Sequence, residues 1–430
     1  MIRYVKMYMA AILLIAGISL SFPSGRYWKA EAASDISVHA KAAILVDAKS
    51  GKILYGQNMD ESLPVASMSK LMTQYLILEK IQQGDLKWDD VYHADASDQD
   101  LSTRPGLGNV PLYKGQSYTV RDLYNAMTLV SANAASRALG QMAGKSDKHF
   151  VEMMNDKARQ LGLKHSSFVN TSGLNNQDLA PYQVEGTASD GENKMSARDL
   201  ALLAYHFVHS FPNEMGIEKK ERDQFPVTSS YSIPLRNKNQ LLPNGKYSYK
   251  GAIGLKTGMN DAAGYGIVAL AKREQRELIA VVIDAKNKKG KRSSKARYMQ
   301  VQKLLDYGFA HWDYQKISPD KFLPSSQQKI SVENGTKEKA AIASKTIADL
   351  IPKNSHSIEA KLTIMPKFLT DEKKLKSPVK KGTVIGKITL RDGSYGYLTP
   401  ELEKKAQVKA TVKEEIQKEN WFATLMNEIF

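Results

Sequence analysis

The chain has no cysteine in 430 residues. That excludes a disulfide framework, a thiolate nucleophile and any Cys-ligated zinc or iron–sulfur centre. The absence fits an exported protein without disulfides, although cytosolic chains can lack cysteine too. Histidine is sparse, at 8 residues. His206 and His209 share a helical face, but no carboxylate or open-site pattern accompanies them. Neither a metal nor a cofactor is expected. No internal repeat or low-complexity tract interrupts the chain, and its one long apolar run lies at the N-terminus.

Hydrophobic residues make up 42% and charged residues 25%, the balance of an ordinary globular protein. The length suits two or three domains, each with a real core. At the start, Arg3 and Lys6 precede the apolar run Met7–Leu20, and Ala30-Glu31-Ala32 forms a small-x-small cleavage site. Residues 1–32 therefore read as a secretory signal peptide cut after Ala32, with an uncleaved anchor as the alternative. Both readings place the remainder outside the cytoplasm. Without the leader the net charge is about +13, which favours anionic polymers or lipid headgroups as neighbours. Nucleic acid is not an expected partner. The densest basic stretch, Lys286–Arg297, reads as a solvated loop between a strand and a helix.

Period-two and period-3.6 patterns divide the chain. Ala42–Asp47 and Lys52–Tyr55 read as a strand pair. A helical block follows, opened near Pro64 and Ser67 and continued by 119–130, 133–143, Met153–Leu161 and Ala197–His209. Three strands, Ala252–Thr257, Gly264–Ala271 and Glu277–Ala285, precede a helix at Arg297–Phe309. This order predicts an α+β fold, with one antiparallel sheet built from both ends of the domain and helices packed on it. Four segments are expected: the leader 1–32, a catalytic domain 33–315, a β-rich domain 316–402 and an amphipathic helix 403–430. In the last, Phe422, Leu425, Met426, Ile429 and Phe430 form one stripe. Such a stripe suits a membrane interface or docking on the β-domain.

Ser67 and Lys70 form a Ser-x-x-Lys pattern, which puts both side chains on one helical face. A serine hydroxyl is a weak nucleophile until a base takes its proton. A lysine can be that base when burial and a neighbouring cation lower its proton affinity. The pattern also occurs at Ser326/Lys329 and Ser377/Lys380, but only the first copy opens an amphipathic helix. Two further motifs join it. Ser131-Ala132-Asn133 is the sole Ser-x-Asn in the chain and breaks a helical run; its hydroxyl can relay a proton and its amide can hold a substrate amide. Lys256-Thr257-Gly258 is the sole Lys-Thr-Gly and ends a strand; its ammonium and hydroxyl suit a carboxylate, and Gly258 lets a peptide approach the strand edge.

These three motifs, in this order, form the set shared by penicillin-binding proteins and class A β-lactamases. With PVASMSKLMT (64–73), YTVRDLYNAMTLVSANAAS (118–136), FVNTSGL (168–174), GLKTGMNDAAGY (254–265) and the YGF at 307–309, the chain resembles a low-molecular-mass penicillin-binding protein. The family is that of serine-type D-alanyl-D-alanine carboxypeptidases, and the likeness spans nearly the whole length. It implies a penicillin-binding/serine β-lactamase-like catalytic domain and release of the terminal D-alanine from stem pentapeptides. Ser67 would be acylated, Lys70 would be its base, and Ser131 with Asn133 would shuttle the proton and orient the substrate. Lys256, Thr257 and Gly258 would bind the terminal carboxylate side. The backbone N–H of Met259 would join that of Ser67 in an oxyanion hole. Arg297, by its position ahead of the last helix, would help place the carboxylate. Ala134 stands where many relatives carry Asp. The resemblance also implies β-lactams as covalent inhibitors and a place at the outer face of the cytoplasmic membrane, held by the C-terminal helix.

Three rivals share the residues. A class A β-lactamase needs a Glu-x-x-Leu-Asn stretch between the second and third motifs, and none occurs. A D,D-endopeptidase would use the same groups. A non-catalytic β-lactam sensor would be acylated but would release no D-alanine.

Overall fold

The computed structural model describes residues 36–353 and 358–420. The leader 1–32 and the apolar stripe 421–430 lie outside the described residues.

Strands β1 (Ala42–Asp47) and β2 (Ile53–Gln57) form the opening hairpin. A 3-10 turn, Ala66–Ser69, then leads directly into helix α1 (Lys70–Gln83). The helical block continues with α2 (Val120–Leu129), α3 (Asn133–Gly144), α4 (Asp147–Leu161) and α5 (Ala197–Ser210). Side chains mark the starts of several: Thr119 and Asp122 form a reciprocal capping box on α2, and Ser146 and Ser196 cap α4 and α5. Strands β3 (Ala252–Asn260), β4 (Gly264–Arg273) and β5 (Arg276–Ile283) follow, and then helix α6 (Ser294–His311).

The two halves of the chain meet in one five-stranded sheet of order β2-β1-β5-β4-β3, with every pairing antiparallel. This is the sheet from both ends of the domain that the pattern predicts. Its strands are apolar on both faces because both are covered. Ile44, Val46, Val268, Leu270, Ile279 and Val281 pack with the helical block. Ala43, Leu45, Ala269, Ala280 and Val282 pack with Val301, Leu304 and Leu305 of α6. At roughly 25 cal/mol per Å² of apolar area, these two layers dominate the stability of the domain.

Beyond Trp312 the fold becomes β-rich. Strand β6 (Trp312–Ile317) begins this part; β7 (Lys329–Glu333), β8 (Lys339–Ser344), β9 (Ile347–Pro352), β10 (Glu359–Ile364), β11 (Leu375–Lys376), β12 (Val384–Arg391) and β13 (Val408–Val412) complete it. β6 pairs with β9, and the rest form a six-stranded sheet of order β10-β12-β13-β8-β7-β11.

Of the helix expected over 403–430, the described part, 403–420, is not one continuous helix. A short helix, Pro400–Ala406, gives way to β13, which lies between β12 and β8. Val408, Ala410 and Val412 are buried while Lys409 is exposed, so the period here is two and the segment completes the sheet. Ile416 and Lys418 bridge back to Val379 and Gly335. The β-rich part therefore runs to about residue 420. No helix among the described residues is long and apolar enough to cross a membrane.

Candidate active site

The 3-10 turn and α1 carry Ser67 and Lys70 at the edge of the five-stranded sheet, against β3. Ala66 has φ 47°, a left-handed conformation unusual for alanine, and Ser131 has φ 62°. Both strained residues flank the site, as constrained backbone at functional positions often does.

Lys70 is fully buried, and its Nζ has three oxygen neighbours. They are Ser67 Oγ at 3.0 Å, Asn133 Oδ1 at 2.6 Å and the carbonyl of Ser172 at 2.6 Å. Burial, then the charges of Lys256 and Lys238, hold Lys70 well below the ordinary lysine value. Lys256 is buried as well and donates to Ser131 Oγ at 2.9 Å and to the carbonyl of Thr257 at 3.1 Å. Burial first, then Lys238, push it down to about 7, while Glu218 works in the opposite direction. Two lysines with lowered proton affinity, each on a serine hydroxyl, thus stand in one cleft.

The structure brings the site residues together as two hydrogen-bonded groups, Ser67–Lys70–Asn133 and Lys256–Ser131, coupled by charge, with Thr257 on the edge strand. Asn133 is committed to the protein on both sides: Oδ1 accepts from Lys70 and Nδ2 donates to the Gly108 carbonyl at 3.0 Å. Gly258 has a reason the strand pattern did not supply. A Cβ there would sit 2.6 Å from the Val65 carbonyl oxygen and 3.0 Å from Met68 N. Glycine is what lets β3 lie against the turn that presents Ser67. The Met259 side chain is 58% exposed at the rim.

Arg297 departs from its expected position. It lies in the first turn of α6, not ahead of it, because the helix starts at Ser294 with Ser293 as its cap. Its guanidinium donates to the carbonyls of Gly258 (3.2 Å) and Gly266 (3.3 Å), bracing β3 and β4. The basic stretch before it is tied down by Arg292, which pairs with Asp284 at 2.7 Å.

Several contributors were not assigned a role from sequence. Ser172 acts through its carbonyl, placed by Asn170, whose Oδ1 accepts from the N–H groups of Ser172 (3.1 Å) and Gly173 (2.7 Å). Gly173, at φ +76°, packs so closely that a Cβ would fall 2.1 Å from the Ala66 carbonyl oxygen. Lys238 and Glu218 act by charge, and Gln74 lies one turn beyond Lys70. Asn170, Ser172 and Gly173 lie in the FVNTSGL stretch that carries part of the resemblance, and Gln74 has the i+4 spacing from Lys70. Lys238 and Glu218 sit in polar runs that read as solvated surface.

A buried lysine on a serine hydroxyl, a second serine–lysine pair opposite and an antiparallel edge strand define a serine acyl-transfer enzyme of the penicillin-binding class. Comparison with known proteins agrees. Residues 29–287 match the model of the D-alanyl-D-alanine carboxypeptidase family, peptidase family S11. The D-alanyl-D-alanine carboxypeptidase DacF of Bacillus subtilis is 28% identical, over 93% of this chain and 94% of its own. The crystal structure of a peptidoglycan synthesis regulatory factor (PBP3) from Streptococcus pneumoniae superimposes with a TM-score of 0.67 at 28% identity, covering 89% of this chain and 100% of that one. The ampicillin-bound Penicillin-Binding Protein D2 of Listeria monocytogenes gives 0.52 at 31% identity, over 64% of this chain and 99% of its own.

The chain belongs to the D-alanyl-D-alanine carboxypeptidase family. It is a serine peptidase of the penicillin-binding type acting on peptidoglycan peptides, a polymer found outside the cytoplasm.

Proposed function

We propose that Ser67 is the nucleophile that removes the terminal D-alanine of a stem pentapeptide through an acyl-enzyme. The observation that carries this reading is the Lys70 environment. A neutral amine has two N–H donors and one lone pair, which suits the three neighbours found. As a neutral base, Lys70 would keep its two hydrogens for Asn133 Oδ1 and the Ser172 carbonyl, at 2.6 Å each, and turn its lone pair to the Ser67 hydroxyl 3.0 Å away.

Lys70 takes the Ser67 proton as Oγ attacks the carbonyl carbon of the penultimate residue. The backbone N–H groups of Ser67 and Met259 hold the developing oxyanion. The Ser131 hydroxyl, supported by Lys256, delivers a proton to the leaving amine and is replenished by the proton that Lys70 took from Ser67, which leaves Lys70 neutral again. Lys256 and Thr257 bind the terminal carboxylate, Gly258 keeps β3 in reach of the acylated turn, and Arg297 braces that strand. Water, activated by Lys70, then releases the shortened peptide and restores Ser67.

β-Lactams fit the same reading: their strained amide would acylate Ser67 where the peptide does. Residues 421–430 are the segment proposed to hold the enzyme at the membrane, on the strength of the apolar stripe and the basic net charge. The experiment that tests the function is release of D-alanine from a peptide ending in D-Ala-D-Ala. Absence of release, while labelled penicillin still acylates Ser67, would convert the enzyme into a sensor. Cleavage of crosslinked dimers in preference to pentapeptide would favour the endopeptidase reading.

A further inference from the structure

Behind the cleft, Gln74 and Glu218 form a buried polar pair that the reaction scheme leaves unused. Gln74 sits one turn after Lys70 on α1. Its Nε2 donates to Glu218 Oε1 at 2.9 Å and to Thr128 Oγ1 at 2.9 Å. Glu218 ends the single helical turn Met215–Glu218 and is 1% exposed. Its second oxygen, Oε2, has no hydrogen-bond partner. A bare buried carboxylate oxygen is costly unless a cation or a proton compensates it.

The strand beside it carries that cation. A Cβ built on Gly254 of β3 would lie 3.1 Å from Glu218 Cβ and 3.7 Å from Oε2. Gly254 and Lys256 pair with Leu270 and Val268 of β4, which both pack with the helical block, so the two positions share one face of the sheet. The carboxyl group is thus packed against the strand position next to Lys256 on that face. The charges around Lys256 are Lys238 and Arg297, which disfavour its ammonium, and Glu218, which favours it. Lys70 stands across the cluster, and Ser131 and the Thr257 carbonyl are neutral acceptors.

We propose that Glu218 is a positioning residue of the acyl-transfer site, a buried acid that sets the proton occupancy of Lys256. Through Lys256 it governs the Lys256–Ser131 hydrogen bond and the cationic field on Lys70. With Glu218 ionised, Lys256 remains an ammonium, donates to Ser131 Oγ and leaves the Ser131 proton free for the leaving group. Without the acid, Lys256 sheds its proton at lower pH, and the field that keeps Lys70 neutral weakens. Burial pushes the Glu218 carboxyl itself up and the nearby Lys256 charge pulls it down, so the two groups titrate against each other's charge. Only the kinetic consequence rests on the roles proposed above for Lys256 and Ser131.

The test is a pH titration of the Lys256 Cε resonance in protein labelled with 13C at lysine ε, assigned by its loss in Lys256→Arg. In Glu218→Gln, which keeps the acceptor for Gln74, the Lys256 midpoint should fall by about one unit. Glu218→Met, lacking charge and acceptor alike, should move it in the same direction. An unchanged midpoint in both folded variants overturns the proposal. The alkaline limb of the rate of acylation by benzylpenicillin should shift with the midpoint, and a merely structural role would lower the rate without moving that limb. A midpoint that moves while the limb stays supports the Glu218–Lys256 coupling and removes Lys256 from the reaction scheme instead.

Discussion

Lys256 Nζ lies 2.9 Å from Ser131 Oγ, although 125 positions separate the two residues. Ser131 reaches it from a left-handed backbone at the junction of α2 and α3, and Lys256 reaches it from the middle of the edge strand. Neither element alone makes this contact, on which the proposed proton relay depends; their juxtaposition does.

Removing that relay should slow the reaction without unfolding the protein. Ser131→Ala is expected to reduce the rate of D-alanine release by about 10²–10⁴-fold, the usual worth of a positioned proton-transfer group. Binding of a non-reactive D-Ala-D-Ala analogue should change far less. Steady-state kinetics and calorimetric binding measured side by side check this, and an intact rate would take Ser131 out of the mechanism.

Gly258 and the Val65 carbonyl are in contact through the space a side chain would need. Gly258→Ala should force β3 away from the 3-10 turn and cost about 1–3 kcal/mol, as overpacking does. Acylation should suffer more than stability, since Ser67 rides on that turn. Thermal unfolding compared with the rate of penicillin labelling separates the two effects. A variant that labels at the wild-type rate would show that the close approach is dispensable.

The buried lysines give stability a pH slope whose sign can be worked out. Lys256 has its folded value depressed to about 7 from an ordinary value of 10.5, so between those limits the unfolded state binds more protons. Stability must therefore rise with pH across that window. Glu218 acts oppositely between 4.5 and about 8, where the folded state holds the extra proton. Lys256→Met should consequently be more stable than the parent near pH 7, and the advantage should shrink as pH approaches 10.5. Denaturant midpoints at several pH values test this, and a gap that widens with pH would contradict it.

Lys52 fastens the two parts of the molecule. Its Nζ, on the segment leading into β2, contacts Asp349 at 2.8 Å, Asp392 at 2.7 Å and the Leu350 carbonyl at 2.9 Å, all from the β-rich part. Burial opposes the ammonium, but Asp392 and Asp349 outweigh it and raise the lysine's proton affinity. Lys52→Met should cost about 3–5 kcal/mol by stranding two buried carboxylates. Limited proteolysis between the parts should accelerate while the isolated chemistry of Ser67 persists. Unchanged proteolysis would mean that the strand contacts alone join them.

Truncation tests the tail. Deleting residues 421–430 should release the protein from anionic vesicles and leave D-alanine release intact, because β13 and the bridge at Ile416 lie before the cut. Continued sedimentation with vesicles would assign membrane contact to the basic surface instead.

Much of this protein is legible in its residues. Apolar runs with short periods mark the five strands and most of the helices, since local periodicity reports which faces are buried. Ser67/Lys70, Ser131/Asn133 and Lys256-Thr257-Gly258 point to the chemistry through the family resemblance that the three motifs carry together. Other features depend on partners far away in the chain. The strand Val408–Val412 was masked by a helical stripe beginning later, and only its neighbours β12 and β8 show which period prevails. Gly258 reads from sequence as a point of substrate approach, and the Val65 carbonyl packed against it is a second demand for glycine that only the fold reveals. Ser172 contributes a backbone carbonyl, to which residue type is nearly irrelevant. Glu218, in a run of charges that reads as surface, is buried because the turn that carries it packs against β3. The sequence by itself determined which groups could react. The tertiary structure decided which of them lose water and meet other charges, and those two conditions set whether a lysine is a base or an ammonium.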